Sequence, residues 1–115
     1  MLTQPYRLRS SRDIARVYKK GSYGGGNGVL SVKALLSGHR DSRVVVVVSK
    51  KIDKRAVVRN RLRRRLSGDL EAHWATLKAG YDIVVSVHSD VSDLSAAKLH
   101  EHLSQALKRS GVAKT

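Results

Sequence analysis

Apolar residues recur at spacings of three and four through Leu62, Leu66, Leu70, Trp74 and Leu77, and this rhythm predicts a long helix from about Arg55 to Leu77. At about 100° per residue these five positions share a stripe about 120° wide, the width of a core-facing side. Gly68 lies inside it, costs about 1 kcal/mol relative to Ala, and marks a place for a bend or fray. A shorter helix is predicted over 11–20. Ile14, Val17 and Tyr18 share its face, Ser10 or Ser11 caps it and Gly21 ends it. Asp13 in its first turn and Lys19 and Lys20 in its last complement the helix dipole. Leu94, Leu99, Leu103 and Leu107 predict a last helix over 92–109, with Ser92 as cap and Gly111 as stop.

Three stretches read as strands: 29–36, 43–50 and 81–88. Five consecutive valines, Val44 to Val48, imply burial on both faces and therefore an interior strand. A strand, a long helix and another strand form a crossover unit, so 44–48 and 83–87 are expected to run parallel. Residues 22–28 (SYGGGNG) predict a flexible loop or a distorted first strand. Without a preceding apolar strand or a Gly-Lys-Ser/Thr ending, this glycine run does not read as a mononucleotide loop. Residues 1–10, which hold the single proline, Pro5, read as an extended basic arm, and the tail from about 111 is expected to be disordered. There is no repeat and no linker, so the expectation is one domain over 1–115.

Charge changes this picture. Lys and Arg number 23 against 9 acids, a net charge of +14. Such an excess favours nucleic acid or an anionic membrane. The longest valine run is far short of a span, the start lacks a signal peptide's apolar block, and no helix is free of core duty to lie on a bilayer. With no cysteine there is no disulfide framework and no thiolate site. The expectation is a soluble, cytoplasmic nucleic-acid binder.

The cations concentrate in Lys54–Leu66 (KRAVVRNRLRRRL), where seven of thirteen residues are Lys or Arg and none is acidic. Asn60, Arg61, Arg64 and Arg65 point away from the apolar stripe, while Arg59 and Arg63 lie on its side at the helix start. Like charges at i,i+4, such as Arg59/Arg63 and Arg61/Arg65, cost a few tenths of a kcal/mol each. A solvated structural face would intersperse carboxylates. Guanidinium forks with one amide among them suit phosphates and base edges.

Catalytic chemistry is harder to find. The acids are scattered, and no pair has the clustering that a metal-dependent nuclease needs to hold magnesium. His100 and His102 point in different directions on one helix, and His39, His73 and His88 read as isolated surface or half-buried imidazoles. No protein metal site is expected, and the chain's own side chains are not expected to perform a reaction.

This order resembles the protein subunit of bacterial ribonuclease P over roughly residues 7 to 109. The resemblance rests on the valine strand ending Ser49-Lys50-Lys51 and on the hallmark K-x-A-V-x-R-N-x-x-[KR]-R. Lys54, Ala56, Val57, Arg59, Asn60, Arg63 and Arg64 match it. It implies an α/β (α+β) two-layer sandwich, order α-β-β-β-α-β-α, with a left-handed crossover. It also implies an endoribonuclease in which an RNA subunit does the chemistry, removing the 5′ leader of precursor tRNA with magnesium bound mainly by the RNA. On this resemblance Arg55, Arg59, Asn60, Arg61, Arg63 and Arg64 contact the catalytic RNA. Ile14, Tyr18, Ser49, Lys50 and Lys51 line a cleft for the single-stranded leader. No protein partner and no membrane are implied. Ile14 stands where the family usually has an aromatic residue, and Ser67 where a basic one is common. Two rivals stay open on the residues alone: a general RNA-binding or ribosome-associated protein, and a protein-only metal nuclease.

Overall fold

The computed structural model describes residues 7–25 and 28–114. Helix α1 (Ser11–Lys20) is followed by strands β1 (Ser22–Gly25), β2 (Leu30–Leu36) and β3 (Arg43–Val47). Helix α2 (Ala56–His73), strand β4 (Tyr81–Val87) and helix α3 (Ala96–Ser110) complete the predicted element order. Pro5 and the centre of the glycine run lie outside the described residues, whose remainder includes β1.

β4 is a central strand. It pairs antiparallel with β2 through Val32↔Val85 and parallel with β3 through Val46↔Val85, giving the order β1-β2-β4-β3. The expected parallel crossover is therefore present. The expected interior position of the valine strand is not: β3 is the edge, and the doubly buried strand is β4, buried continuously from Asp82 to Val85. The valines record cover above and below rather than strand neighbours on both sides. Val44, Val46 and Val48 face α2 and α3, while Val45 and Val47 lie half-buried on the α1 side. The outer edge of β3 takes up the arm, where Leu8 N–H donates to the Val44 carbonyl at 2.9 Å. Covering an edge this way leaves fewer open backbone groups for unwanted pairing.

Alternate residues of the strands serve opposite layers. Leu62, Leu66 and Leu70 of α2 and Leu99, Leu103 and Leu107 of α3 pack on Val32, Val46, Ile83 and Val85. Each α2 leucine is exposed by 2% or less, and burial of such a side chain contributes roughly 1.5–3 kcal/mol. On the other face Val17 joins Leu8 and Val84, with Ile14, Val45 and Val47 around them. Ser10 caps α1 by accepting from the Asp13 N–H at 3.4 Å. Gly21 follows because a Cβ there would stand 2.5 Å from the Val17 carbonyl oxygen.

Two boundaries differ from expectation. The last helix starts at Ala96 with Ser95 as cap, accepting from the Lys98 N–H at 3.1 Å, because Ser92 is held in a turn by Asp90. The tail is ordered to Lys114. Gly111 takes φ 83° and turns the chain back. Val112 is then fully buried, and its carbonyl accepts from the Lys78 N–H at 2.8 Å. Helix α2 passes through Gly68 and ends at His73, followed by a 3-10 turn over Trp74–Thr76.

Candidate nucleic-acid interface

The start of α2 is built without a side-chain cap and without an acid in its first turn. Asp53 organises the approach instead. Its carboxylate accepts the Arg55 backbone N–H at 2.8 Å and the guanidinium at 3.1 and 3.0 Å. Hydrogen bonding from the Arg55 side chain, then from its backbone, lowers the Asp53 pKa to about 2. Arg59 Nη1 donates to the carbonyls of Asp53 and Lys54 at 3.0 and 2.8 Å. These two arginines shape the turn that launches the helix, and both keep part of the guanidinium edge for other work.

Asn60, Arg63, Arg64 and Ser67 follow at helical spacing on the flank facing β3. With Arg7 and Arg9 of the arm they border a groove of about 420 Å³, floored by Val44, Val45 and Val46. Among the described residues no carboxylate lines this groove. Arg63 Nη1 is buried there without a hydrogen-bond partner among the described residues. A buried donor on a permanent cation is strongly unfavourable unless an anion meets it. Val57, 68% exposed, continues the flank toward the helix start.

Arg61 is exposed on the outer side of α2, between Arg64 and Arg65 and outside the groove lining. Arg65 has a structural task there: Nη1 donates to the Val91 carbonyl at 2.7 Å, and Nη2 donates to the Leu94 carbonyl. The six expected RNA contacts therefore separate into a groove set (Asn60, Arg63, Arg64), a turn-forming pair (Arg55, Arg59), and Arg61, exposed next to Arg64 but outside the groove lining.

The second predicted site lies on the α1 face. Tyr18 is 42% exposed, and its hydroxyl is 3.3 Å from Ser86 Oγ. Lys33 Nζ donates to the Tyr18 carbonyl at 2.7 Å and stands 5.9 Å from the ring centroid. Tyr23, 59% exposed, is the cross-strand partner of Lys33 and shares its face. Ser31 pairs across the sheet with Ser86 and bonds His88 Nε2 at 2.7 Å. Ser49, Lys50 and Lys51 are exposed just beyond β3, whose Val47 is in register with Ser86. Ile14 is half-buried among Val17, Val84 and Leu8, so it supports the cleft's floor instead of forming an open wall.

Sequence reading missed Lys33, Ser86, Tyr23 and the groove side of the arm. The alternation Arg7-Leu8-Arg9 was a strand-like signal for the arm. Nothing local marked Lys33 or Ser86, which meet Tyr18 only through sheet register. The reading of His73 as isolated is corrected: its ring stacks on His100 at 4.0 Å, with Asp69 beside both. Burial, then the neighbouring His100, lowers the His73 pKa. Among the described residues no helix is long and apolar enough to cross a membrane.

The family model described as Ribonuclease P matches residues 2–111. A ribonuclease P protein component from Pseudanabaena sp. is 37% identical, with 97% of each chain covered. One from Prochlorococcus marinus is 34% identical, covering 97% of this chain and 98% of the relative. The Staphylococcus aureus RNase P protein structure superposes with a TM-score of 0.81 at 27% identity, covering 94% of this chain and 97% of that one. The Thermotoga maritima protein gives 0.78 at 29% identity, covering 90% and 96%.

Proposed function

The chain belongs to the ribonuclease P protein family, the protein component of the endoribonuclease that matures tRNA 5′ ends, and we propose that its two cationic surfaces divide the RNA between them. The groove between α2 and the arm takes the backbone of the RNA subunit, and the Tyr18 cleft takes the single-stranded leader of precursor tRNA. The observation that carries this reading is the groove itself: Arg63 and Arg64 beside Arg7 and Arg9, no acid in the lining among the described residues, and a buried Arg63 nitrogen with no partner among them.

A structured RNA presents phosphates at a spacing that several fixed guanidiniums can meet together, and Asn60 adds a group able to bond backbone or base. In the cleft Tyr18 offers a face for a base, Tyr23 a second, and Lys33 a cation for the adjoining phosphate. Ser49, Lys50 and Lys51 extend that track past the end of β3. Stacking and charge tolerate many leader sequences, and only the precursor carries a leader to bind. The cleft thus favours precursor over product.

The chemistry belongs to the RNA in this reading. Among the described residues the single group with metal-ligand spacing is Asp69, His73 and His100. Two imidazoles suit a borderline transition metal rather than magnesium. Magnesium, which would supply the activated water and stabilise the leaving oxygen, fits the RNA subunit better. Cations at the groove lower the repulsion between RNA strands and so lower the magnesium needed for assembly. The setting is the cytoplasm, where precursor tRNA is made.

The test is cleavage of a leader-bearing precursor tRNA at low magnesium by protein alone, by the RNA subunit alone and by both together. Cleavage only in the mixture is the expected result. Cleavage by the protein alone would assign the chemistry to this chain, and a mixture no better than RNA alone would reduce it to a general RNA binder.

A further inference from the structure

We propose that Asp69, His73 and His100 form a site for a single zinc-class transition-metal ion, tying the C-terminal end of α2 to the first turns of α3. Asp69 and His73 are four apart on one face of α2, and His100 reaches across from α3. Asp69 Oδ1 lies 2.9 Å from His100 Nδ1, and Asp69 Oδ2 lies 3.5 Å from His73 Nε2. The three ligand atoms fall within 4.8 Å of one another. Bonds of 2.0–2.2 Å around a tetrahedral zinc place neighbouring ligand atoms roughly 3.3 Å apart; the carboxylate turns one oxygen to each imidazole near that length, and drawing the three ligand atoms in from 4.8 Å completes the set.

The site is also incomplete as it stands. His73 is only 6% exposed, and among the described residues its Nε2 has no hydrogen-bond partner, only the 3.5 Å approach of Asp69 Oδ2. Asp69 Oδ2, which faces it, has no hydrogen-bond partner among them either. Buried polar atoms in a protein interior are nearly always satisfied, and an ion between these two would satisfy both. The rings of His73 and His100 are stacked with an interplanar angle of 13°. Two lone pairs converge on one ion only if the rings open from this stack, and His100 has the freedom to do so, with its side chain 50% exposed.

Two imidazole nitrogens and one carboxylate oxygen are a donor set chosen by zinc and its neighbours, and not by magnesium or calcium. Three protein ligands leave a fourth position. It opens toward a cavity of about 260 Å³ bordered by Thr76, Ser104 and Lys108, with room and polar partners for a water. Asp69 is only two residues past Ser67 of the groove but roughly 200° around the helix from it, on the side that meets His100 of α3. The site is therefore separate from the RNA groove, and its direct effect is on the pairing of α2 with α3.

The experiment uses the full chain, stripped with a chelator and titrated calorimetrically with Zn2+ alone and Mg2+ alone. The expected result is one zinc per chain, no comparable magnesium binding, and a melting temperature that rises with zinc. Outer-shell changes already weaken metal sites by 10–100-fold, so His100→Ala and Asp69→Asn should lose at least ~10-fold in zinc affinity. His39→Ala, on an exposed turn, should lose nothing. Because His100 is half-exposed, its alanine variant keeps the fold, and Co2+ in the wild-type protein gives a four-coordinate visible spectrum that this variant lacks. Absence of stoichiometric zinc binding, or equal binding by His100→Ala, would overturn the site.

Discussion

Arg43 and Asp82 stand side by side on the parallel strands β3 and β4, joined by two hydrogen bonds, from Nε at 2.9 Å and from Nη2 at 2.8 Å. The Asp82 side chain is 4% exposed and that of Arg43 20%. Nη2 also reaches Asp13 at 3.3 Å, so one guanidinium connects the valine strand, the central strand and α1. Hydrogen bonding to Asp82 leads the causes that raise the Arg43 pKa. Removing the cation leaves the buried carboxylate alone. Arg43→Met is expected to destabilise the protein by about 3 kcal/mol, read as a lower urea midpoint. Asp82→Asn should cost less, because the more exposed guanidinium can turn toward water.

Gly68 offers the opposite outcome. It sits in helical conformation, and a Cβ there would meet nothing within 4 Å. Gly68→Ala is therefore expected to stabilise the protein by ~0.5–1 kcal/mol. Denaturant unfolding checks it, and an unchanged midpoint would mean that the helix is already frayed at this turn.

Arg64 and Arg59 should respond differently. Arg64 is exposed on the groove and has phosphate binding as its expected task. Arg64→Ala should weaken binding to the RNA subunit and reduce the slope of log K against log salt by roughly 0.7–0.9. Arg59 holds the carbonyls of Asp53 and Lys54, so Arg59→Ala should also lower thermal stability. Equal salt slopes for wild type and Arg64→Ala would remove Arg64 from the interface.

Tyr18 separates the two surfaces. Tyr18→Ala should weaken precursor tRNA about 5–100-fold, the range of one lost base–aromatic stack at ~1–3 kcal/mol, while affinity for the RNA subunit stays the same. Tyr18→Phe keeps the ring and loses only the 3.3 Å contact with Ser86, so it should retain most of the binding. Equal loss in both assays would refute this division of labour.

The Asp53 carboxyl provides a pH test. Its pKa is lowered from 3.8 to about 2, chiefly by the Arg55 side chain. A depressed pKa means that the charged form is favoured in the folded state. The stabilisation is therefore present above about 3.8 and disappears as pH falls through about 2. An NMR titration of Asp53 should show a midpoint near 2, and Arg55→Ala should return it toward the ordinary value. The stability difference between wild type and Asp53→Asn should be constant at neutral pH and close in the acid window.

Much of this architecture was local enough to read from the chain. The leucine rhythm of α2 followed from helical geometry, the Ser10 cap from its need to satisfy the first N–H groups, and the parallel crossover from a strand, helix and strand in succession. The concentration of arginine after Lys54 pointed to RNA because such mutual repulsion is relieved only by an anionic partner. Register and layering were different, because they depend on which faces are covered by distant segments. Val44–Val48 has the same composition whether its flank meets another strand or the Arg7–Leu8 arm, so only the fold placed it at the edge. Tyr18, Lys33 and Ser86 come together across a sheet register that leaves no mark in any one of their neighbourhoods. Likewise Asp69 and His73 share a helix face that spacing alone reveals, but the packing of α3 on α2 brings His100 to them.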